Sequence, residues 1–420
     1  MGMGLIVPRS EVEKLRKVTD WILIYGRRKT GKTFLVRKFL RYDSYYFISR
    51  SLEVFSYNKD LELLSYDIFF DRIKREIEER KTIVIDEFQR LPQSFLDFLH
   101  FSKSFAKSQI ILVGSSLSFV NKILSTESPL LGIVYPFRLG LIKPRDIIFS
   151  LSKYYSDKEC LLLSMFARDP IILEELAPND NLESFLRKVL PKIRVVVRSL
   201  IGEIFTEEER ELTKRYEAII KAVAAGNKKP SEVASFISGM LGEHLKSQDV
   251  KKYLKNLVEM NLLKRVKIFG KKAYFYFIDS PIIDLYYYLD LKTGFSELDI
   301  PIDTLISKAM GKIPFYYENF VVELLAEIYG CEVVKSFYPE IDGILTRGKQ
   351  VEAVVEVKMG NITTKEVNKF LEKVEDFDCR KIVVAGNTIK DKKIESMTAE
   401  QLVEKLKKRN GNLKPFNNIS

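Results

Sequence analysis

Histidine is almost missing from this 420-residue chain: His100 and His244 are the only two. A histidine-rich metal site or a Ser–His–Asp triad therefore has little to be built from. Cysteine is nearly as scarce. Cys160, Cys331 and Cys379 lie far apart with no CxxC pair, which argues against a disulfide framework or a zinc ribbon and fits a reducing compartment. Long apolar runs are also lacking, since no stretch approaches the roughly 20 residues needed to span a bilayer. The opening MGMGLIVPRS has no basic segment followed by an apolar one, so no secretory signal is expected. These absences predict a soluble, cytoplasmic protein without a membrane partner.

Positive charge and apolar residues are plentiful. Lys and Arg total 68 against 57 Asp and Glu, a formal net charge of +11. Such a surplus draws polyanions, nucleic acid first and acidic membrane surfaces second. A hydrophobic content of 46%, with 12% aromatic, supports packed cores, and the length predicts two or three domains.

WILIY (21–25) is a short apolar run of the kind that forms a buried parallel strand. It leads into GRRKTGKT (26–33) and then FLVRKFLR, whose apolar residues recur at helical spacing. Strand, glycine loop and helix follow in the order that GxxxxGK[ST] requires. Gly26 and Gly31 let the loop Arg27-Arg28-Lys29-Thr30 curl so that its N–H groups face phosphates. Lys32 brings charge to the β- and γ-phosphates, Thr33 offers a hydroxyl to Mg2+, and the helix opening at Phe34 adds its dipole. KTIVIDEFQRLP (81–92) supplies a second strand ending in Asp86, expected to hold Mg2+ through water, and Glu87, placed to orient the attacking water. A third strand, QIILVGSS (109–116), ends at Ser115 and Ser116, where a hydroxyl can sense the γ-phosphate or simply begin a loop. Strands alternating with helices predict a parallel sheet covered on both faces.

IYGRRKTGKT, VIDEFQRLP and LVGSSLSFV together resemble the archaeal P-loop ATPases of the AAA+/STAND grouping. The resemblance implies an ASCE-type core over 1–150, a helical lid over 151–203, a winged helix, and in one branch a C-terminal nuclease-like domain. It implies ATP rather than GTP, Glu87 as catalytic base, Ser115 or Ser116 as sensor, and a lid proline, here Pro170, beside the nucleotide. Two positions depart from the family pattern. Ile133 stands where an arginine is usual, with Arg138 the nearest replacement, and the GG-x-P lid motif is Ala167-Arg168-Asp169-Pro170. With no evident trans-acting arginine, a monomer or weak oligomer is expected.

Residues 204–280 read as three amphipathic helices, the second N-capped by Ser231 and the third spanning 247–266, followed by a hairpin around Gly270. That order spells a winged helix. Lys251, Lys252, Lys255, Lys264, Arg265, Lys267, Lys271 and Lys272 give it a basic helix and wing suited to DNA phosphates. Residues 281–312 read as a helical linker whose LYYYL cluster serves packing rather than base stacking.

From 313 to 420 the pattern is helix, strand, strand, helix, strand. It resembles the PD-(D/E)XK nuclease core, with Asp342 on the first strand and Glu356-Val357-Lys358 closing the second. Strand alternation puts Glu356 and Lys358 on one face. A neighbouring strand can bring Asp342 beside them to hold Mg2+ with Glu356, and Glu318 on the preceding helix matches a further acid that such nucleases carry. The leading reading is an ATPase that binds DNA and cuts or remodels it; the alternative is a nucleotide-controlled switch of the STAND kind whose C-terminal domain recruits a partner without cleavage.

Overall fold

The structure, a computed structural model, describes residues 5–57, 60–126, 128–208, 210–242 and 245–410. His244 lies outside them. The first half is built from α1 (Glu11–Leu15), β1 (Trp21–Tyr25), α2 (Lys32–Phe39), β2 (Ser44–Ile48), β3 (Val54–Tyr57), β4 (Leu61–Leu64), α3 (Tyr66–Glu76), β5 (Thr82–Asp86), α4 (Gln93–Ser102), β6 (Gln109–Gly114), α5 (Leu117–Ile123) and β7 (Val134–Arg138). Seven strands make one sheet in the order β4-β3-β2-β5-β6-β1-β7. Five of them are parallel, and the near-continuous apolar runs of β1, β5 and β6 follow from burial on both faces. Trp21, Leu23, Ile83, Ile85, Ile110 and Leu112 fill one side. Ile22, Ile24, Val84, Ile111 and Val113 face the other, where Leu35 and Val36 of α2 pack on them.

The sheet departs from the expected fully covered parallel form at one edge. β3 and β4 join antiparallel, and their shared outer face leaves Phe55, Tyr57, Leu61 and Leu63 exposed.

The helices expected to form a lid are α6 (Pro144–Leu151), α7 (Asp157–Ala167) and α8 (Leu182–Glu207), a unit called the lid below. Next come α9 (Lys214–Ala224), α10 (Pro230–Leu241), α11 (Ser247–Glu259) and the antiparallel pair β8 (Leu263–Lys267) and β9 (Tyr274–Ile278). α11 is shorter than the sequence suggests: Asn261 takes a left-handed φ of 54°, which ends the helix and turns the chain into β8. Ser231 is not the N-cap of α10. Pro230 occupies the first turn, and the Glu232 carboxylate accepts from the Lys228 and Lys229 amides at 2.9 and 3.1 Å. α12 (Pro281–Thr293) and α13 (Ile302–Met310) are no solvent-spanning linker. Ile282, Leu285, Tyr286, Tyr287 and Leu289 are buried in the same core as the lid helices.

The C-terminal part contains α14 (Ile313–Tyr329), β10 (Glu332–Val334), β11 (Gly343–Arg347), β12 (Gln350–Val357), α15 (Thr364–Lys373), β13 (Arg380–Ala385), β14 (Glu395–Thr398) and α16 (Ala399–Asn410). Its sheet runs β10-β11-β12-β13-β14, antiparallel as far as β12 and parallel beyond. Alternation along β12 divides the faces. Val355 and Val357 join α14 and α16 in the core shared with the lid, whereas Val354 packs with Val367 and Phe370 of α15. Gly343 admits no side chain, because a Cβ there would stand 2.4 Å from Val322 Cγ1 of α14. The β8–β9 hairpin is joined to this sheet by a parallel bridge between Ile268 and Lys335.

Candidate nucleotide-binding site

The loop between β1 and α2 is held in shape from beneath. A Cβ on Gly26 would sit 2.1 Å from the Leu139 carbonyl oxygen, so only glycine lets this turn lie against the chain leaving β7. Lys29 and Gly31 take left-handed φ values of 59° and 86°, and Thr30 donates to the Arg27 carbonyl at 2.9 Å. Lys32 folds back over the loop, its Nζ 2.9 Å from the carbonyl oxygens of both Gly26 and Arg27. Burial lowers this ammonium to about 8, against the pull of Glu87 and Asp86 in the other direction.

Asp86, at the end of β5, is buried beside α2. Its Oδ2 accepts from Thr33 Oγ1 at 2.7 Å and from the Tyr45 hydroxyl at 2.6 Å. A hydroxyl and a carboxylate oxygen side by side are what a hard divalent cation takes from a protein while keeping its own waters, so this pair fits Mg2+. Glu87 follows in a left-handed conformation, φ 57°, which swings its carboxylate into the cleft. There Arg90 pairs with it at 2.8 Å and Gln89 donates to it at 2.9 Å. Gln89 also reaches Ser115 Oγ at 3.3 Å, linking the ends of β5 and β6.

These residues open onto one cleft of about 790 Å3. Arg28, Lys29, Gly31, Lys32, Thr33, Phe34, Glu87 and Ser115 line it. Arg27 and Thr30 turn inward instead. The Arg27 guanidinium meets Asp169 at 2.7 Å, both side chains almost wholly buried, and Asp169 also accepts from Ser280 Oγ at 2.6 Å. Pro170 follows directly and packs near Gly31. The lid grips the loop a second time: Arg28 pairs with Glu203 at 2.8 Å and Glu207 at 2.7 Å, and Ser115 donates to Glu207 at 3.0 Å. Ser116 caps α5 by accepting from the Phe119 amide, a structural task rather than a sensing one. Arg138 is exposed at the end of β7 and does not line the cleft, and Ile133 packs against the sheet core.

Tyr45, Gln89 and Glu207 escape sequence reasoning. Tyr45 reads as one more apolar strand residue, and Glu207 ends a helix some 90 residues away in sequence from the serine it holds. Gln89 alone left a signal, as a polar residue two positions beyond Glu87.

The C-terminal carboxylates are close enough to act on one another's charge. Asp342 Oδ2 accepts from the Val357 amide at 2.7 Å, which fastens it beside Glu356. Burial, then the Asp342 charge, pushes Glu318 and Glu356 each up to about 7. Lys335 is lowered to about 8 by burial and donates to the Asp342 carbonyl. Among the described residues no group of three His, Cys, Asp or Glu is placed to hold a metal ion, which leaves Asp342 and Glu356 as a pair of carboxylates rather than a set of three with Glu318. Lys358 is diverted too. It pairs with Glu366 in the first turn of α15, whose capping box with Thr363 keeps that carboxylate in place.

Residues 19–139 match the family model of an AAA domain, which makes this part of the chain a P-loop ATPase domain of the AAA+ kind, a nucleotide-binding class. An uncharacterized protein of Methanocaldococcus jannaschii is 25% identical over 397 residues, covering 83% of this chain and 85% of its own. A Walker-type ATPase of Pyrococcus abyssi superposes with a TM-score of 0.50 at 17% identity, over 67% of this chain and 96% of that one. That likeness is one of fold. Among the described residues no helix is long and apolar enough to cross a membrane.

Proposed function

We propose that this protein hydrolyses ATP and binds DNA, with α9–α11 and the β8–β9 hairpin acting as a winged helix and the C-terminal domain as an interaction module. The observation that carries the nucleotide part is the convergence of Lys32, Thr33, Glu87 and Ser115 on one cleft, with Asp86 bonded to Thr33 behind them. Backbone amides at the start of α2 receive the phosphates, and Lys32 neutralises charge on the β- and γ-oxygens. Glu87, once released from Arg90, takes the proton of the water that attacks the γ-phosphorus. Ser115 orients that water from the cleft wall, and Gln89 ties Ser115 to Glu87. Thr33 and Asp86 are the residues that would hold Mg2+, which would supply further neutralisation of the phosphate oxygens. Steady-state phosphate release tests the assignment: Lys32→Ala should lose binding and turnover, and Glu87→Gln should bind ATP but not turn it over. A Glu87→Gln protein hydrolysing at the wild-type rate would remove Glu87 from its role.

DNA binding is supported by the exposed Lys251, Lys252 and Lys255 on one side of α11, by Lys271 and Lys272 at the hairpin tip, and by the net charge of +11. Lys264 leaves this set, because it points to the opposite face of β8 and pairs with Glu323. Retardation of a duplex at moderate salt is the test.

For the C-terminal domain, the Lys358–Glu366 pair and the lack of a three-acid metal group among the described residues support a switch whose last domain docks a partner. Incubation with supercoiled DNA and Mg2+ decides between docking and cleavage. Nicking that disappears in Asp342→Ala and Lys358→Ala would reinstate cleavage; no nicking supports the switch.

A further inference from the structure

A wing in a winged helix is ordinarily a free hairpin, but here it is fastened along one edge. Around the Ile268–Lys335 bridge, the Phe269 amide donates to the Lys335 carbonyl at 2.9 Å and the Lys335 amide donates to the Lys267 carbonyl at 3.1 Å. Phe269 also packs on Phe377, ring centroids 5.5 Å apart, from the loop after α15. The hairpin is thereby fixed against the C-terminal sheet, and the two enclose a groove of about 550 Å3.

The lining of this groove is basic on both walls. Arg265 and Lys267 come from β8, two residues apart and so on one face, while Lys349 comes from the turn between β11 and β12. Glu332 is the one acid among the lining residues. Lys267 and Lys349 are exposed and have no carboxylate partner among the described residues. The Arg265 guanidinium carbon lies 4.7 Å from the centroid of the Tyr274 ring, and the side chain is exposed. The contrast with the other face of the same strand is informative: there Lys264 is neutralised by Glu323 and Asp279. Unpaired cations facing each other across a groove repel, and the arrangement is stabilised when a polyanion lies between them.

We propose that duplex DNA is held in this composite groove, its backbone passing between the β8–β9 hairpin and the β11–β12 turn, so that Lys349 of the C-terminal domain is a DNA contact. This rests on the DNA-binding reading above and adds a second wall to it. It also gives the C-terminal domain a task that needs no cleavage.

The test is fluorescence anisotropy of a labelled duplex over a salt series, using the full chain. Each lost phosphate contact lowers the slope of log K against log salt by about 0.9. Lys349→Glu should therefore reduce the slope by about 1, and Lys267→Glu with Lys349→Glu by about 2, with a loss of affinity greater than tenfold at low salt. Both positions are exposed, so the melting temperature should stay at the wild-type value. Lys251→Glu with Lys252→Glu, on the α11 face, provides the comparison. If that pair loses the slope and Lys349→Glu does not, the second wall is wrong while DNA binding stands. If the wild-type protein binds no duplex at low salt, the DNA-binding reading itself fails. Capture of an acidic peptide in place of duplex, lost in Lys349→Glu, would overturn the choice of partner.

Discussion

Removing the Asp169 carboxylate should disable the nucleotide site from a distance. Arg27, inside the phosphate loop, has a side chain 3% exposed, and Asp169 has one that is fully buried; their contact is 2.7 Å. The same carboxylate accepts from Ser280 Oγ at 2.6 Å and from the Ile171 amide at 3.3 Å. Truncation to alanine leaves a buried guanidinium without a counter-charge, which costs about 3–5 kcal/mol. The orphaned hydroxyl adds about 1–3 kcal/mol more. Against a domain stability of about 5–15 kcal/mol, that is enough to loosen the loop without necessarily unfolding the chain. A chain of several packed units does not unfold in one step, so the informative readout is local. Affinity for a fluorescent ATP analogue in Asp169→Ala should fall at least tenfold, the equivalent of about 1.4 kcal/mol, with Asp169→Asn intermediate. Replacing both partners, Arg27→Met with Asp169→Leu, should recover much of the thermal stability, because a buried pair exchanged for apolar groups is close to neutral. An Asp169→Ala protein with wild-type affinity and wild-type melting would refute the reasoning, since the buried pair would then hold nothing.

Three further outcomes follow from the same site. Gly26→Ala places a methyl group 2.1 Å from the Leu139 oxygen; it should abolish nucleotide binding and lower the melting temperature, as seen by calorimetry. The Lys32 ammonium, lowered to about 8 by burial, binds phosphates only when protonated. Affinity measured without metal should be level below about pH 8 and fall by up to tenfold per unit above it, whereas a rise there would contradict the sign. Glu207→Gln removes a carboxylate that holds Arg28 and Ser115 and repels the incoming phosphates. It should tighten ATP binding several-fold by isothermal titration, on the order of 1 kcal/mol for one charge at an effective dielectric near 20.

The strands carrying the nucleotide site were legible because burial on both faces forces apolar runs, and because glycine, lysine and paired acids at fixed offsets have few other uses. WILIY and TIVID fell into register as neighbours of QIILVG. What could not be read was everything decided across long separations. The replacement of the family's lid motif by Arg168-Asp169 looked like a loss, yet Asp169 secures Arg27, and Arg168 pairs with Glu323 of α14. In the C-terminal domain, strand alternation placed Glu356 and Lys358 on one face. It had no means of showing that the α15 cap would claim the lysine. The length of α11 was misread because a left-handed asparagine leaves no periodic trace.

The core shared by the lid and the C-terminal domain bears on how the chain is made. The buried faces of α6 and α7 are completed by α14 and α16, and Lys407 of α16 pairs with Asp157 of α7 at 2.8 Å. During synthesis, residues 144–167 leave the ribosome with an apolar surface part of whose cover lies about 150 to 270 residues downstream. Domain-by-domain folding from the N-terminus is therefore interrupted after the first sheet. The helices α6 and α7 can pack on each other and on α8 first, but their apolar cover is completed only when residues 399–410 arrive, so the partly covered stretch in between is an exposure to aggregation during synthesis.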